Sequence, residues 1–171
     1  MDYENQIDNF QVKEGRPTFL KVLCILSWIS TGIALVSGIF NIISGPFSEE
    51  QMTEQKVEMI KSIDELRTLD MTGLADLFEK IQRMTESMNA QFYYVQFVSL
   101  IVVVLGVFGI FKMWNRSKLG FHLYIIYSLL SVLTVYLFVA PIDVPSIVVI
   151  INLVISAIFV FMYSRNLKWM K

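Results

Sequence analysis

Long apolar stretches separated by polar segments dominate the pattern of this chain. The four stretches run from Thr18 to Ile43, Phe92 to Phe111, Leu119 to Ala140 and Pro145 to Tyr163. A helix needs about 20 residues to cross the roughly 30 Å hydrocarbon core of a bilayer, and each stretch can supply them. The pattern therefore predicts four transmembrane helices and an all-α integral membrane protein.

The second stretch illustrates the strength of this signal. Between Val95 and Phe111 it contains 13 Val, Ile, Leu and Phe residues and no charged side chain. At about −0.3 to −0.6 kcal/mol per residue near the membrane centre, its insertion is favourable by roughly 4–8 kcal/mol. The hydrophobic fraction of the whole chain is 55%, which is high for an ordinary soluble domain. A soluble core in a chain this short could not bury four such helices.

These boundaries predict a four-transmembrane-helix bundle with an extracytoplasmic helical hairpin between helices 1 and 2. The predicted segments are a cytoplasmic arm (1–16), transmembrane helix 1 (17–45), the acidic hairpin (46–90), transmembrane helix 2 (91–112), a cytoplasmic loop (113–118), transmembrane helix 3 (119–140), an outer turn (141–144), transmembrane helix 4 (145–164) and a cytoplasmic tail (165–171).

The polar segment between the first two apolar stretches has the features of a helical hairpin. Ser48 and Gln51 fit a capping box that would begin its first helix. A break from Asp70 to Gly73 follows, and Thr72 could cap the second helix. Because no Pro or Gly separates the second helix from transmembrane helix 2, we expect the two to form one long rod.

Apolar residues recur at helical spacing along both predicted helices of the hairpin. Two helices of about 18 residues form a thin core, and segments below about 70–80 residues rarely stabilise themselves by burial alone. Part of the apolar stripe is therefore expected to bind a partner protein or a second copy of the chain. The candidate partner-binding residues are Met59, Ile63, Leu74, Leu77, Phe78, Ile81, Met84 and Met88.

The distribution of basic residues predicts the orientation of the bundle. Lys and Arg close to membrane-spanning segments favour the cytoplasmic side. In the segment from Ser48 to Ala90, by contrast, ten acidic residues face five basic ones, a net charge of −5. Both termini are therefore expected in the cytoplasm and the hairpin outside. The nine basic residues of the cytoplasmic segments are Lys13, Arg16, Lys21, Lys112, Arg116, Lys118, Arg165, Lys168 and Lys171.

Small and polar residues recur within the predicted transmembrane helices. Such residues let helices approach closely, as at Gly109 and Gly120, or hydrogen-bond to each other. Asn152, near the middle of helix 4, is expected to face inward and bond a neighbouring helix. A polar pathway and an oligomer interface are the alternative interpretations. The polar packing positions are Ser30, Ser37, Asn41, Asn152 and Ser156.

Candidate chemistry is sparse. Cys24 is the single cysteine, so no intramolecular disulfide can form. His122 is the single histidine. No P-loop, dinucleotide-binding, zinc-protease or nucleophile-elbow motif occurs. Asp143, just before Pro145, is expected to cap transmembrane helix 4. We therefore expect no enzymatic activity, no cofactor, no metal and no nucleic-acid partner, since topology and attraction to anionic membrane lipid explain the basic residues.

Two resemblances bear on the class of protein. Four spans with a large first outer loop resemble tetraspanins and claudins in outline, but the loop contains no cysteine, so the disulfides and functions of those families do not carry over. The stretch from Lys112 to Tyr124 looks like the junction between spans two and three of small bacterial four-span membrane proteins. That likeness implies a bacterial inner membrane and no particular activity.

Two functional hypotheses follow from the sequence. The first is an accessory or scaffold subunit whose hairpin docks another membrane or periplasmic protein, or a second copy in a homo-oligomer. The second is a small transporter or channel with a polar path lined by transmembrane helices 1 and 4, which Asn41 and Asn152 suggest. A membrane enzyme comes third, because no acid, base or nucleophile pair is evident.

Overall fold

The computed structural model describes residues 18–171, and in this part of the chain every regular element is helical. The predicted arm (1–16) and the start of transmembrane helix 1 at Pro17 lie outside the described residues. The six α-helices are α1 (Thr18–Ser44), α2 (Glu49–Thr68), α3 (Thr72–Ala90), α4 (Phe92–Trp114), α5 (Lys118–Leu133) and α6 (Ser146–Ser164). Short 3₁₀ turns cover Thr134–Leu137, Pro141–Asp143 and Leu167–Trp169.

Four helices are long and apolar enough to cross a membrane: α1, α4, α5 with its following 3₁₀ turn, and α6. They contain 27, 23, 20 and 19 residues. This result confirms the all-α class and the four candidate spans. The third span continues as a 3₁₀ turn to Leu137, short of the predicted end at residue 140.

Most apolar side chains of these four helices point away from the protein interior. In α6 only 6% of the most apolar window is buried, and Val36 on α1 is 69% exposed. Exposed apolar surface of this extent is unfavourable in water and is typical of helices that lipid surrounds. The chain therefore has the surface of a membrane protein.

The closest helix pair in the bundle is α4 and α5, which a short turn connects. A Cβ atom added at Gly120 would lie 2.4 Å from the backbone nitrogen of Met113 and 2.6 Å from the carbonyl oxygen of Gly109. Real Cβ atoms essentially never approach backbone atoms that closely, so only glycine permits this crossing. The small residues at Gly109 and Gly120 thus bring the two helices together, as their positions predict.

The tightest packing lies at the end of the bundle that holds the α4–α5 turn. There, side chains from α1, α4, α5 and α6 meet Met170, which follows the last 3₁₀ turn and is 3% exposed. The backbone of Lys171 donates to the carbonyl of Arg116 at 2.6 Å and accepts from Lys118 at 3.0 Å. The core residues are Leu20, Leu23, Cys24, Ile110, Met113, Phe121, Tyr124, Tyr163 and Met170.

Helices α2 and α3 pack on each other, and α3 leads into α4 with a single non-helical residue, Gln91. The backbone of Gln91 still accepts from Val95 at 3.0 Å. The predicted continuous rod from α3 into α4 is therefore interrupted only at this one position. We call helices α2 and α3 together the α2–α3 pair.

Candidate functional site

Local sequence signals define both ends of α2. The hydroxyl of Ser48 accepts from the backbone of Gln51 at 3.2 Å, and the Gln51 side chain accepts from the backbone of Ser48 at 3.0 Å, so the predicted capping box is present. At the other end Asp70 has a φ of 58°, and Met71 donates to the carbonyl of Leu66 at 2.9 Å. This hydrogen bond, together with the left-handed conformation of Asp70, is characteristic of a Schellman motif.

The start of α3 differs from the sequence prediction. Met71 occupies the N-cap position and makes no side-chain capping bond, so Thr72 is the first helical residue and not the cap. The reason is that Met71 is already fixed by the Schellman bond that ends α2. One short turn thus both ends α2 and begins α3.

The candidate partner-binding residues are distributed between the inside and the surface of the α2–α3 pair. Ile63 is buried where the two helices meet, and Leu74 is 41% exposed. The other six are half-buried, so much of the stripe is already covered by the protein itself. These six are Met59, Leu77, Phe78, Ile81, Met84 and Met88.

Three exposed apolar side chains of the pair surround the turn that joins its helices. Leu69 is 69% exposed, Met71 is 45% exposed, and Leu74 follows one turn later. We call these three residues the apolar apex. Leu69 and Met71 are not among the partner-binding residues predicted from the sequence. Two large apolar residues flanking Asp70 in a predicted surface turn could have indicated them.

Two polar contacts fix the α2–α3 pair to the rest of the protein. The amide of Asn89 accepts from the backbone nitrogen of Phe47 at 2.9 Å and donates to the carbonyl of the same residue at 3.1 Å. The guanidinium of Arg83 donates to the carboxylate of Asp143 at 2.6 Å. The pair therefore contacts both the α1–α2 loop and the segment before α6.

The contact of Arg83 corrects the role predicted for Asp143. Pro145 occupies the N-cap position of α6, and no side chain caps that helix. Asp143 lies in the preceding 3₁₀ turn, where its carboxylate pairs with the cation on α3. Asp143 lies two residues before the N-cap position, so its carboxylate is not placed to cap α6 and instead pairs with Arg83.

Further ion pairs run along the α2–α3 pair. Lys56 on α2 lies 3.1 Å from Glu86 on α3, and Arg67 pairs with Glu79. Hydrogen bonds from Gln82 and then Lys56 hold the pKa of the Glu86 carboxyl below its ordinary value. The resulting stabilisation is fully present above the ordinary pKa of Glu86 and is lost as the pH falls through the lowered one.

A polar cavity of about 220 Å³ lies between α1, α5 and α6. Three of the predicted polar packing positions, Ser30, Asn152 and Ser156, line it. The structure thus brings together residues that are more than 100 positions apart in the sequence. The other lining residues are Ser27, Thr31, Tyr124, Tyr127, Ser128, Ser131, Ile155 and Phe159.

The two remaining polar positions do not belong to this cavity. Asn41 lines a separate groove of about 480 Å³ beside Phe47, Asn89 and Phe92, near the base of the α2–α3 pair. Ser37 is exposed and lines neither space. The predicted polar face of α1 is therefore divided between two different regions.

Asn152 also differs from its prediction. Its amide nitrogen donates to the carbonyl of Val148 in the same helix at 3.0 Å, and its side chain is exposed to the cavity. It was expected to bond a neighbouring helix. The open space between α1 and α6 leaves no neighbouring backbone or side chain close enough to replace the local bond.

A buried side-chain hydrogen bond connects α6 to α1 beside this cavity. The hydroxyl of Tyr163 donates to the hydroxyl of Ser27 at 2.9 Å, and the Tyr163 ring meets the ring of Tyr124 edge-on at 4.8 Å between centroids. Tyr163 is completely buried. It therefore closes one end of the cavity with an aromatic cluster.

Residues 18–171 contain no group of three or more His, Cys, Asp and Glu side chains that could hold a metal ion. The cavity lining carries no ionisable acid or base other than tyrosine. No protein-family model, curated protein or solved structure matches this chain.

Proposed function

We propose that the chain crosses a bacterial inner membrane four times, with both termini in the cytoplasm and the α2–α3 pair forming an extracytoplasmic hairpin. The positions of the charges support this orientation. The backbone bonds between Lys171, Arg116 and Lys118 bring the basic residues of the α4–α5 turn and of the tail together at one end. The acidic α2–α3 pair lies with Asp143 at the other end.

In this orientation the chain acts as a non-enzymatic accessory or scaffold subunit that docks another protein through its hairpin. The observation that carries this proposal is the apolar apex, in which Leu69, Met71 and Leu74 are all more than 40% exposed. Apolar side chains clustered on a surface that faces water mark sites of protein contact.

The fixed position of the hairpin strengthens the proposal. Because Asn89 and Arg83 anchor the base of the pair to the bundle, the apex is held at a set place above the bundle. A binding surface that is ordered beforehand loses less entropy when it binds. The net negative charge of the hairpin favours a partner with an apolar patch bordered by basic side chains.

Cross-linking in native membranes tests the docking role. Replacing Leu69 and Leu74 by Ser should lower the yield of cross-linked partner by about tenfold, which is the effect of losing roughly 1.4 kcal/mol of binding. Insertion should not change, since neither residue belongs to a candidate span.

The matched control replaces Val57 and Ile60 by Ser. These side chains are 47% and 45% exposed but lie on α2, away from the apex. This double variant should leave the yield of cross-linked partner unchanged. Equal loss in both double variants, or no cross-linked product with the unaltered chain, would contradict docking through the apex.

The polar cavity favours a second candidate, a small transporter or channel whose path is lined by the first and fourth spans. Ser30 on α1 and Asn152 and Ser156 on α6 all contribute to its wall. Polar side chains inside a lipid-facing bundle are costly, and they commonly mark solute pathways. A solute flux in liposomes that Asn152→Leu abolishes would support this candidate, and equal fluxes in both proteins would exclude it.

A further inference from the structure

We propose that the cavity between α1, α5 and α6 binds a small uncharged solute that is rich in hydrogen-bond donors, of the polyol class. The inference deepens the second candidate function by naming its ligand, and it also rests on the proposed insertion of the bundle in lipid. It does not depend on whether the hairpin docks a partner.

The size of the cavity sets the first limit on its occupant. Its volume of about 220 Å³ is several times the roughly 30 Å³ that a water molecule occupies in the liquid. Nine of its eleven lining residues carry a polar side-chain group. In a hydrocarbon surrounding, burying such polar groups costs free energy unless they are hydrogen-bonded by the protein, by water or by a polar ligand.

Charge sets the second limit. No Asp, Glu, Lys, Arg or His lines the cavity. An ion moved from water into a medium of low dielectric constant requires an opposite charge or a complete set of ligands to offset its lost hydration. The lining provides no counter-charge, so an uncharged molecule is favoured over an anion or a cation.

The hydrogen bonds of the lining determine which groups the solute must carry. The hydroxyl of Thr31 donates to the carbonyl of Ser27 at 2.8 Å, and that of Ser131 donates to the carbonyl of Ser128 at 2.8 Å. A serine or threonine hydroxyl has one hydrogen and two lone pairs. Since these hydrogens are already used within their own helices, the hydroxyl oxygens can only accept.

The other groups around the cavity extend this pattern. Asn152 uses one amide hydrogen on Val148, which leaves its second amide hydrogen as a donor and its carbonyl oxygen as an acceptor. The rings of Tyr127 and Phe159 complete the wall with two flat apolar surfaces. Several acceptors beside aromatic faces match a compact molecule with multiple hydroxyl groups and an exposed carbon skeleton.

The packing of α6 provides access. A second, apolar cavity of about 380 Å³ lies on the opposite side of the α5–α6 contact, and Ser128 and Ser156 line both spaces. Helix α6 thus meets α5 along a narrow strip with open space on either side. Away from the buried Tyr163, few contacts hold α6 to α5, so this part of the helix can shift outward at low cost.

Saturation-transfer NMR on the purified full-length chain tests the assignment. The protein is held in a polyoxyethylene detergent, which has no sugar headgroup, and the probes are glycerol, erythritol, choline and acetate. Glycerol and erythritol should receive saturation, whereas choline and acetate should not. Asn152→Leu should weaken the apparent affinity for erythritol at least tenfold, and Ser131→Ala, which removes a single acceptor, should weaken it severalfold.

The matched control is Asn41→Leu, the same exchange within a candidate span but in the separate groove. It should bind erythritol as the unaltered chain does. Absence of polyol signals, equal signals after Asn152→Leu and Ser131→Ala, or preference for choline would overturn the inference. Polyol binding without flux in liposomes would support the binding site and would contradict only the transporter function.

Discussion

Replacing Gly120 by Val should prevent the bundle from forming a stable fold. The Cβ atom alone would lie 2.4 Å from the Met113 nitrogen and 2.6 Å from the Gly109 oxygen. Both are backbone atoms, so the clash can be relieved only by separating α4 from α5 along the closest contact in the bundle. We expect destabilisation of more than about 4 kcal/mol, in the range seen when a close-packed core is disrupted.

Size-exclusion chromatography and thermal unfolding in detergent measure this effect. Gly120→Val should be recovered mainly as aggregate, and Gly120→Ala, which places the same Cβ atom against the same backbone atoms, should lose most of its folded fraction as well. Gly32→Val is the matched control, because a Cβ at Gly32 would meet no atom within 4 Å although the residue also lies in a candidate span. A monodisperse Gly120→Val protein with an unchanged melting temperature would refute the close approach of α4 and α5.

Replacing Tyr163 by Ala should have the second largest effect. The ring is completely buried and packs edge-on against Tyr124, and its hydroxyl bonds to Ser27. Removing a buried aromatic side chain typically costs about 3–5 kcal/mol through lost contacts and the space left behind. Because Tyr163 connects α6 to both α1 and α5, its loss should also release α6 from the bundle.

Tyr163→Phe separates the hydrogen bond from the packing. It keeps the ring contact with Tyr124 and should cost only about 0.5–1.5 kcal/mol. Tyr94→Ala is the control, since Tyr94 is 73% exposed and should change the unfolding temperature little. The idea that Tyr163 holds α6 in place fails if Tyr163→Ala unfolds at the same temperature as Tyr94→Ala.

The features that sequence reasoning recovered depend on neighbouring residues. The capping box uses Ser48 and Gln51, which are three positions apart. In the apolar stretches, each residue contributes separately to the free energy of membrane insertion. Gly109 and Gly120 could also be selected, since small residues are a general requirement of close helix packing. Such signals do not require knowledge of the tertiary arrangement.

The features that sequence reasoning missed depend on distant residues. Arg83 and Asp143 are 60 positions apart, and Asn89 and Phe47 are 42 positions apart. Nothing near Asp143 in the sequence distinguishes a carboxylate that caps a helix from one that pairs with a cation on another helix. The bonding partner predicted for Asn152 was wrong for the same reason, because only the gap between α1 and α6 decides whether its side chain has a neighbouring helix to bond.

The distribution of the apolar stripe on the α2–α3 pair illustrates an intermediate case. Helical spacing placed Ile63 in the apolar stripe that was predicted to bind a partner, whereas Ile63 is 4% exposed and lies inside the pair. Helical spacing also did not reveal that most of the stripe would be half-buried while Leu69 and Met71 beside Asp70 remained exposed. The exposure of side chains at this turn depends on how α2 ends and α3 begins. Here the left-handed conformation of Asp70 determines that geometry.

Labelling of single introduced cysteines in intact cells tests the four-span orientation most directly. Glu65→Cys places a thiol on the exposed surface of α2, and Asn115→Cys places one in the exposed α4–α5 turn. The native Cys24 is buried, so the unaltered chain is the blank. A membrane-impermeant maleimide should modify the cysteine at position 65 in intact cells and the one at position 115 only after permeabilisation. Modification of both in intact cells, or of position 115 alone, would contradict an outward hairpin on a bundle with cytoplasmic termini.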